Sequence, residues 1–246
     1  MHSERSAAQP SPSRRFLPWP PGTRAAVSLT YDDGLSSHYR TAAAQLAQAK
    51  LRGTFFLNEV RKDEPWVQLA RAGHELGAHT QHHPCPRDQA GSARASEDYD
   101  LPAIVAELDG DVRQLMRLGQ APPYSFAYPC GVSWFGPDRK SYVQQVRERF
   151  ASARTADPSE SSTAYNPHLV PAHFGLDTAE ALLRAVDRAV EQGEWLVLGF
   201  HGIGQDYLVT EAEVHGQFVE KLSTRSDVWV APFGEIAEHL RQELKI

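Results

Sequence analysis

The chain has 246 residues, 41% of them hydrophobic and 23% charged, a length that buries one sizeable core and falls in the size range of a single α/β barrel. A formal charge of -6 provides no basic field for gathering phosphates, which argues against nucleic acid as a partner and for a small neutral or polar substrate. No apolar run approaches the roughly 18 residues of a membrane span, and the N-terminus lacks the apolar core of a secretory signal, so the sequence as given reads as a cytoplasmic protein with no membrane partner, with export as the alternative if a signal lies outside it.

Residues 1–23 carry Pro10, Pro12, Pro18, Pro20 and Pro21 among Ser, Ala and Arg, a composition that reads as a flexible tail leading into a wrapped segment near Trp19. Residues 24–246 read as one catalytic domain. Within it, short apolar runs at 25–31, 53–58, 74–79, 124–128, 150–154, 195–200 and 227–230 have the length and composition of strands. Helical patterns separate them at 37–50, 63–72, 98–118, 177–191, 211–223 and 234–244. In the third of these, Leu101, Ile104, Val105, Leu108, Val112, Leu115 and Met116 recur at helical spacing, a stripe read as core packing. Strands alternating with helices predict an α/β fold with a mainly parallel sheet.

Polar clusters follow the predicted strands: Asp32-Asp33-Gly34 after the first, His79 to His83 after the third, Pro129-Cys130-Gly131 after the fourth, and His201-Gly202 after the sixth. In parallel architectures the carboxyl ends of the strands share one rim, where active sites form. Adjacent carboxylates at Asp32 and Asp33 need a cation or a proton to relieve their repulsion, and imidazoles four apart suit a metal shell. Pro84 disfavours helix at His83, so this HxxxH reads as a loop, unlike the helical pair of zinc proteases. Histidine with carboxylate favours zinc or a similar first-row ion. Taken singly, Asp-Asp-Gly is commonly a turn and HxxxH commonly a pair of surface or core histidines.

In this order the blocks resemble the polysaccharide deacetylase family of carbohydrate esterases, the NodB-homology domain. The resemblance lies in Thr30-Tyr31-Asp32-Asp33-Gly34, in Gly73-His74-Glu75-Leu76-Gly77-Ala78-His79-Thr80-Gln81-His82-His83-Pro84, in Phe126-Ala127-Tyr128-Pro129-Cys130-Gly131 and in Leu196-Val197-Leu198-Gly199-Phe200-His201, across roughly 24–240. It implies an incomplete (β/α) barrel of about seven parallel strands and removal of acetyl groups from an N- or O-acetylated saccharide by metal-activated water. Asp33, His79 and His83 match the metal ligands, with zinc first and cobalt, nickel or iron as alternatives. Asp32 matches the general base, His201 the general acid, and the backbone N–H of Cys130 an oxyanion donor. Tyr128, Trp134 and Phe135 are candidates for stacking on a sugar ring.

Three departures stand against this pattern. The arginine opening the third block, which orients the base, is Ala127 here. The fourth block, with its supporting Asp and pocket Trp, has no match between Asp157 and Asp177, although His173 lies near its place. The closing block reads His-Gly in place of His-Asp, with Asp206 as a local substitute or a plain loop acid. Cys85 and Cys130 flank the proposed site and read foremost as inert packing, with a disulfide, a metal contact or an accessible thiol as alternatives. His74 and His82 read as non-ligating members of their block. Two other functions compete: a ureide or other small-amide hydrolase of the same superfamily, and an inactive carbohydrate-binding barrel.

Overall fold

In the computed structural model, which describes residues 17–89, 94–156 and 165–246, the seven anticipated strands all pair into one parallel sheet. They are β1 (Ala25–Asp32), β2 (Thr54–Leu57), β3 (Glu75–Ala78), β4 (Ser125–Ala127), β7 (Ser152–Arg154), β8 (Trp195–Phe200) and β9 (Val228–Val230). The order is β7-β4-β3-β2-β1-β8, and β9 pairs with the N-terminal half of β1. A small antiparallel hairpin, β5 (Trp134–Phe135) with β6 (Lys140–Ser141), lies outside this sheet and was not anticipated.

The sheet curls into an incomplete (β/α) barrel. Its seam lies between β7 and β8, where residues 170–173, which follow a turn at 167–168, bond to both sides. Val170 N–H donates to Ala153 O at 3.0 Å, and His173 N–H donates to Val197 O at 2.9 Å. This is the fate of His173: its backbone closes the seam.

Alternation along the strands sorts side chains into two layers. Leu29, Tyr31, Phe55, Leu57, Leu76, Phe126, Leu198 and Phe200 face outward into the main core. The helices that cover this face are α1 (Ala43–Gln48), entered through a π-turn at His38–Ala42, α2 (Glu64–Arg71), α3 (Leu101–Arg117), α4 (Val143–Arg147), α5 (Ala179–Gln192) and α6 (Ala212–Ser223), while α7 (Phe233–Leu244) packs Ile236 and Leu240 against Ala26 and Ala231 in a separate cluster. None is long and apolar enough to cross a membrane. The inward set begins with small polar residues and Glu75, whose carboxylate accepts from Thr54 Oγ1 (2.7 Å), Ser125 Oγ (2.6 Å) and Gly234 N–H (2.8 Å) at the amino ends of the strands. Above that plug, Phe56, Ala127, Val197 and Phe233 make a second cluster.

Glycine makes room for the interior rings. A Cβ on Gly77 would lie 2.4 Å from the Phe56 ring, and one on Gly199 would lie 2.1 Å from the Phe174 ring.

Helix α3 departs from its predicted stripe. Ile104, Leu108 and Leu115 are buried as anticipated, but Met116 and Leu101 are 64% and 44% exposed. Glu107, Asp111 and Gln114 are buried with the apolar residues, because this face also meets loops whose backbone N–H groups need acceptors. Of the N-terminal tail, residues 1–16 lie outside the described residues. Leu17 and Trp19 pack against Ala26, Ile236 and Leu240, and Trp19 Nε1 donates to Gly193 O at 3.1 Å.

The reading of the two cysteines as inert packing is corrected: Cys85 and Cys130 form a disulfide with a Cα–Cα distance of 5.6 Å. It ties the loop after β3 to the turn after β4. For a sequence separation of 45 between the half-cystines, the chain-entropy argument gives about 4 kcal/mol of stabilisation. Replacing both cysteines with serine should therefore lower the unfolding free energy, extrapolated to water from a denaturant titration, by about 4 kcal/mol. An unchanged free energy would show that the bridge constrains nothing in the unfolded chain.

Candidate active site

The strand geometry explains how adjacent acids reach one place. Successive strand residues point to opposite faces, so Asp32 and Asp33 converge only if the chain leaves strand geometry between them. Asp33 does so with φ 78°, a left-handed conformation that non-glycine residues seldom adopt. Thr80 (φ 59°) and His83 (φ 49°) do the same after β3. Such backbones persist only where surrounding bonds over-determine them. Here Asp111 accepts from Thr80 N–H (2.9 Å) and Gln81 Nε2 (2.6 Å), while Glu107 accepts from Gln81 N–H (2.7 Å), His82 N–H (3.0 Å) and His82 Nδ1 (2.8 Å). The buried acids of α3 thus clamp the loop that carries His79 and His83. Burial pushes the Asp111 carboxyl well above the usual range.

Asp33, His79 and His83 come together as anticipated, with one donor atom from each lying within 4.8 Å of the others. Asp33 Oδ1 is 3.5 Å from His79 Nε2 and 3.3 Å from His83 Nε2. Ligand bonds of about 2.1 Å in a tetrahedral shell separate donors by roughly 3.4 Å, so the set fits a first-row divalent ion. His79 Nδ1 bonds to Ala127 O at 2.8 Å, leaving Nε2 as the electron-pair donor. Burial, then the neighbouring His79, lowers the His83 pKa to about 4, which keeps that ring neutral and able to ligate near neutral pH.

Asp32 is 3% exposed, with Oδ2 3.8 Å from His79 Nε2. Its other oxygen, Oδ1, pairs with Arg154. Burial alone would raise this carboxyl's pKa; the charge of Arg154, with His79 and His201, overrides it and holds the value down to about 2. Arg154 is fully buried between the faces of Phe56 (4.8 Å) and Phe174 (5.2 Å), the rings admitted by Gly77 and Gly199. It is also the register partner of Ala127 across β4 and β7. The guanidinium missing from the third block therefore arrives from the neighbouring strand. The signal was an arginine closing an otherwise apolar predicted strand.

His201 sits at the end of β8 with Nε2 3.6 Å from Asp33 Oδ2. Its carbonyl bonds with His38 Nε2 at 2.9 Å, and its ring lies 5.4 Å from that of Phe174. Phe174, within the stretch where no fourth block was found, thus lies against the candidate acid. Asp206 does not touch His201; it accepts from Ser37 N–H at 2.9 Å and is a loop-fastening acid. Tyr207, unnoticed in the sequence, donates to Asp33 Oδ2 and is 48% exposed.

The turn bearing Cys130 (φ 51°) adjoins the same site, because the disulfide partner Cys85 has its sulfur 3.5 Å from His83 Nδ1. Two stacking candidates are corrected. Tyr128 is 1% exposed, packed against Phe126 and Tyr142, because its ring turns outward into the helix-facing core. Phe135 is 6% exposed and belongs to that core too. Trp134 is half-buried beneath the Arg139 guanidinium, 4.8 Å away. His74 accepts from Gly53 N–H at 3.1 Å, a structural role.

A family model described as polysaccharide deacetylase matches residues 20–147, a stretch that includes Asp32, Asp33, His79 and His83. The chain belongs to the polysaccharide deacetylase family. Arg154, His201 and Tyr207 lie beyond the matched stretch. No curated protein matches the sequence.

Among solved structures, a Mycobacterium smegmatis protein assigned to the polysaccharide deacetylases aligns with a TM-score of 0.70 at 18% identity, over 93% of this chain and 94% of that one. A PuuE allantoinase aligns at 0.64 with 16% identity, over 91% and 92%. The peptidoglycan deacetylase PdaC of Bacillus subtilis aligns at 0.55 with 15% identity, over 90% and 93%. At these identities the likeness is one of fold.

Proposed function

We propose that the protein is a divalent-metal-dependent deacetylase acting on an N- or O-acetylated saccharide, with Asp33, His79 and His83 as the metal ligands. The observation that carries this reading is the convergence of those three donors at the barrel rim, beside an Asp32 kept ionised by a buried arginine. Their donor set suits zinc first, with cobalt, nickel or iron as alternatives. A bound ion supplies Lewis acidity that activates the attacking water and polarises the acyl carbonyl.

The chain's own groups perform the remaining steps. Arg154 occupies Asp32 Oδ1, so Oδ2 is the oxygen that takes the proton from water. The N–H of Cys130 donates to the carbonyl oxygen as negative charge develops there. His201 Nε2 delivers a proton to the departing nitrogen or oxygen. Replacing His201 with alanine should then slow amide hydrolysis about 10²–10⁴-fold while sparing activated esters, whose leaving group needs no proton. Equal losses on both substrates would reduce His201 to a structural part.

A second reading, hydrolysis of a ureide or other small amide, draws on the withdrawal of Tyr128 and Phe135 into the core, which removes two anticipated sugar-stacking rings, and on the fold shared with an allantoinase. The deciding experiment measures acetate release by metal-loaded and chelated protein from N-acetylated oligosaccharides, O-acetylated xylan and an activated acetate ester, with ammonia or urea release from ureides in parallel. Metal-dependent acetate release supports deacetylation. Turnover of ureides alone would replace it with the second reading.

A further inference from the structure

The loop following His201 folds back on its own base. Gly202 N–H donates to Tyr207 O at 3.0 Å, Thr210 N–H to Gly202 O at 2.9 Å, and Gly204 N–H to Thr210 O at 2.9 Å. The turn is so tight that a Cβ on Gly202 would lie 2.1 Å from Gln205 O and 2.9 Å from Tyr207 O. Both obstacles are backbone atoms, so a side chain at 202 requires the loop to open. The His-Gly departure in the closing block is thus the condition for this loop.

Its far side is fastened to the segment after β1. Asp206 accepts from Ser37 N–H at 2.9 Å and Ser36 Oγ at 3.3 Å, and Gln205 Nε2 donates to Ser36 Oγ at 3.2 Å. Asp206 (φ 77°) and Leu208 (φ 46°) hold left-handed backbones on either side of Tyr207. The residue between them is therefore presented in a fixed direction, and its hydroxyl reaches Asp33 Oδ2.

The two oxygens of Asp33 are divided by their surroundings. Oδ1 faces His79 Nε2 at 3.5 Å, His83 Nε2 at 3.3 Å and Asn58 Nδ2 at 3.3 Å. Oδ2 faces the Tyr207 hydroxyl and, at 3.6 Å, His201 Nε2. A carboxylate with one oxygen held by a fixed donor has its rotation restricted before the ion arrives, which turns the other oxygen toward the two imidazole nitrogens.

We propose that Tyr207 is a positioning residue for the metal ligand Asp33, holding Oδ2 so that Oδ1 alone joins His79 and His83 in a preformed one-oxygen, two-nitrogen site. The proposal rests on the ligand assignment above. Gly202, Asp206 and Ser37 act through Tyr207 by fixing its loop.

The test titrates zinc and cobalt(II) into chelator-stripped full-length protein, comparing the unaltered chain with Tyr207→Phe, Gly202→Ala, their combination and Asp33→Ala. Removal of such an outer partner costs about 10–100-fold in metal affinity, and Tyr207→Phe should lose that much. Its cobalt(II) visible spectrum should also change as the carboxylate becomes free to bind through both oxygens. Gly202→Ala should reproduce both effects with the tyrosine intact, and the combination should be no worse than either single change, because both break one contact. Unaltered affinity and spectrum in Tyr207→Phe, with binding abolished in Asp33→Ala, would overturn this inference and leave the ligand assignment standing. No metal binding by the unaltered chain would overturn both.

Discussion

Replacing Asp33 with alanine is expected to abolish divalent-metal binding and turnover together, whereas Asp32→Asn should keep the ion and lose turnover alone. The two carboxylates are neighbours in the chain yet meet different groups. Asp33 Oδ1 stands 3.5 and 3.3 Å from the two histidine nitrogens, so its loss leaves two of three donors. An outer-shell partner is worth about 10–100-fold in affinity, and a direct ligand should exceed that, at least about 10³-fold. Asp32 instead spends one oxygen on Arg154 and keeps the other near His79, which suits proton transfer. As asparagine it preserves shape and a carbonyl oxygen but cannot accept the proton, a change worth about 10²–10⁴ in rate. Calorimetric metal titration beside steady-state kinetics separates the two outcomes. Full activity in Asp32→Asn would remove it as the base, and metal binding by Asp33→Ala at unaltered affinity would place the ion elsewhere.

What the sequence made legible follows from how local each signal was. Strands three to eight residues long, bounded by glycine, proline and charge, announced themselves by composition, and all seven sheet members lie where the apolar runs fall. The motif acids and histidines were legible because each closes a strand at the same rim. Contacts between distant segments were not. Arg154 reaches Asp32 from 122 residues away, and Tyr207 reaches Asp33 from 174 away. Neither pairing leaves a local pattern. The stacking role for Tyr128 failed for a related reason: a residue beside a strand end can face either layer, and here the ring turns into the core. The polar face of α3 was hidden by apolar periodicity, since Glu107 and Asp111 occupy buried positions only because the loop carrying His79 and His83 needs acceptors there.

The relocated arginine yields the other large effect. Arg154 and Ala127 are register partners on adjacent parallel strands, so their side chains leave the same face about 4.8 Å apart; the Arg154 guanidinium lies over Phe56 and Phe174, and one rooted at 127 is expected to reach the same space. Arg154→Ala should destabilise the protein by about 3–5 kcal/mol, because it strands the buried Asp32 charge, and should remove turnover. Ala127→Arg alone should also destabilise, by about 1–3 kcal/mol, since it crowds a filled interior and sets a second cation beside the first. Together the two changes exchange the strand that supplies the guanidinium and restore the pair, so the double variant should be more stable than either single one and should regain turnover. Denaturant unfolding and kinetics on the four proteins close the cycle; its coupling energy contains both the restored pair with Asp32 and the relief of crowding, and regained turnover reports the pair. A double variant as inactive and unstable as Arg154→Ala would show that the arginine's place on β7, and not its charge at Asp32, is what the site requires.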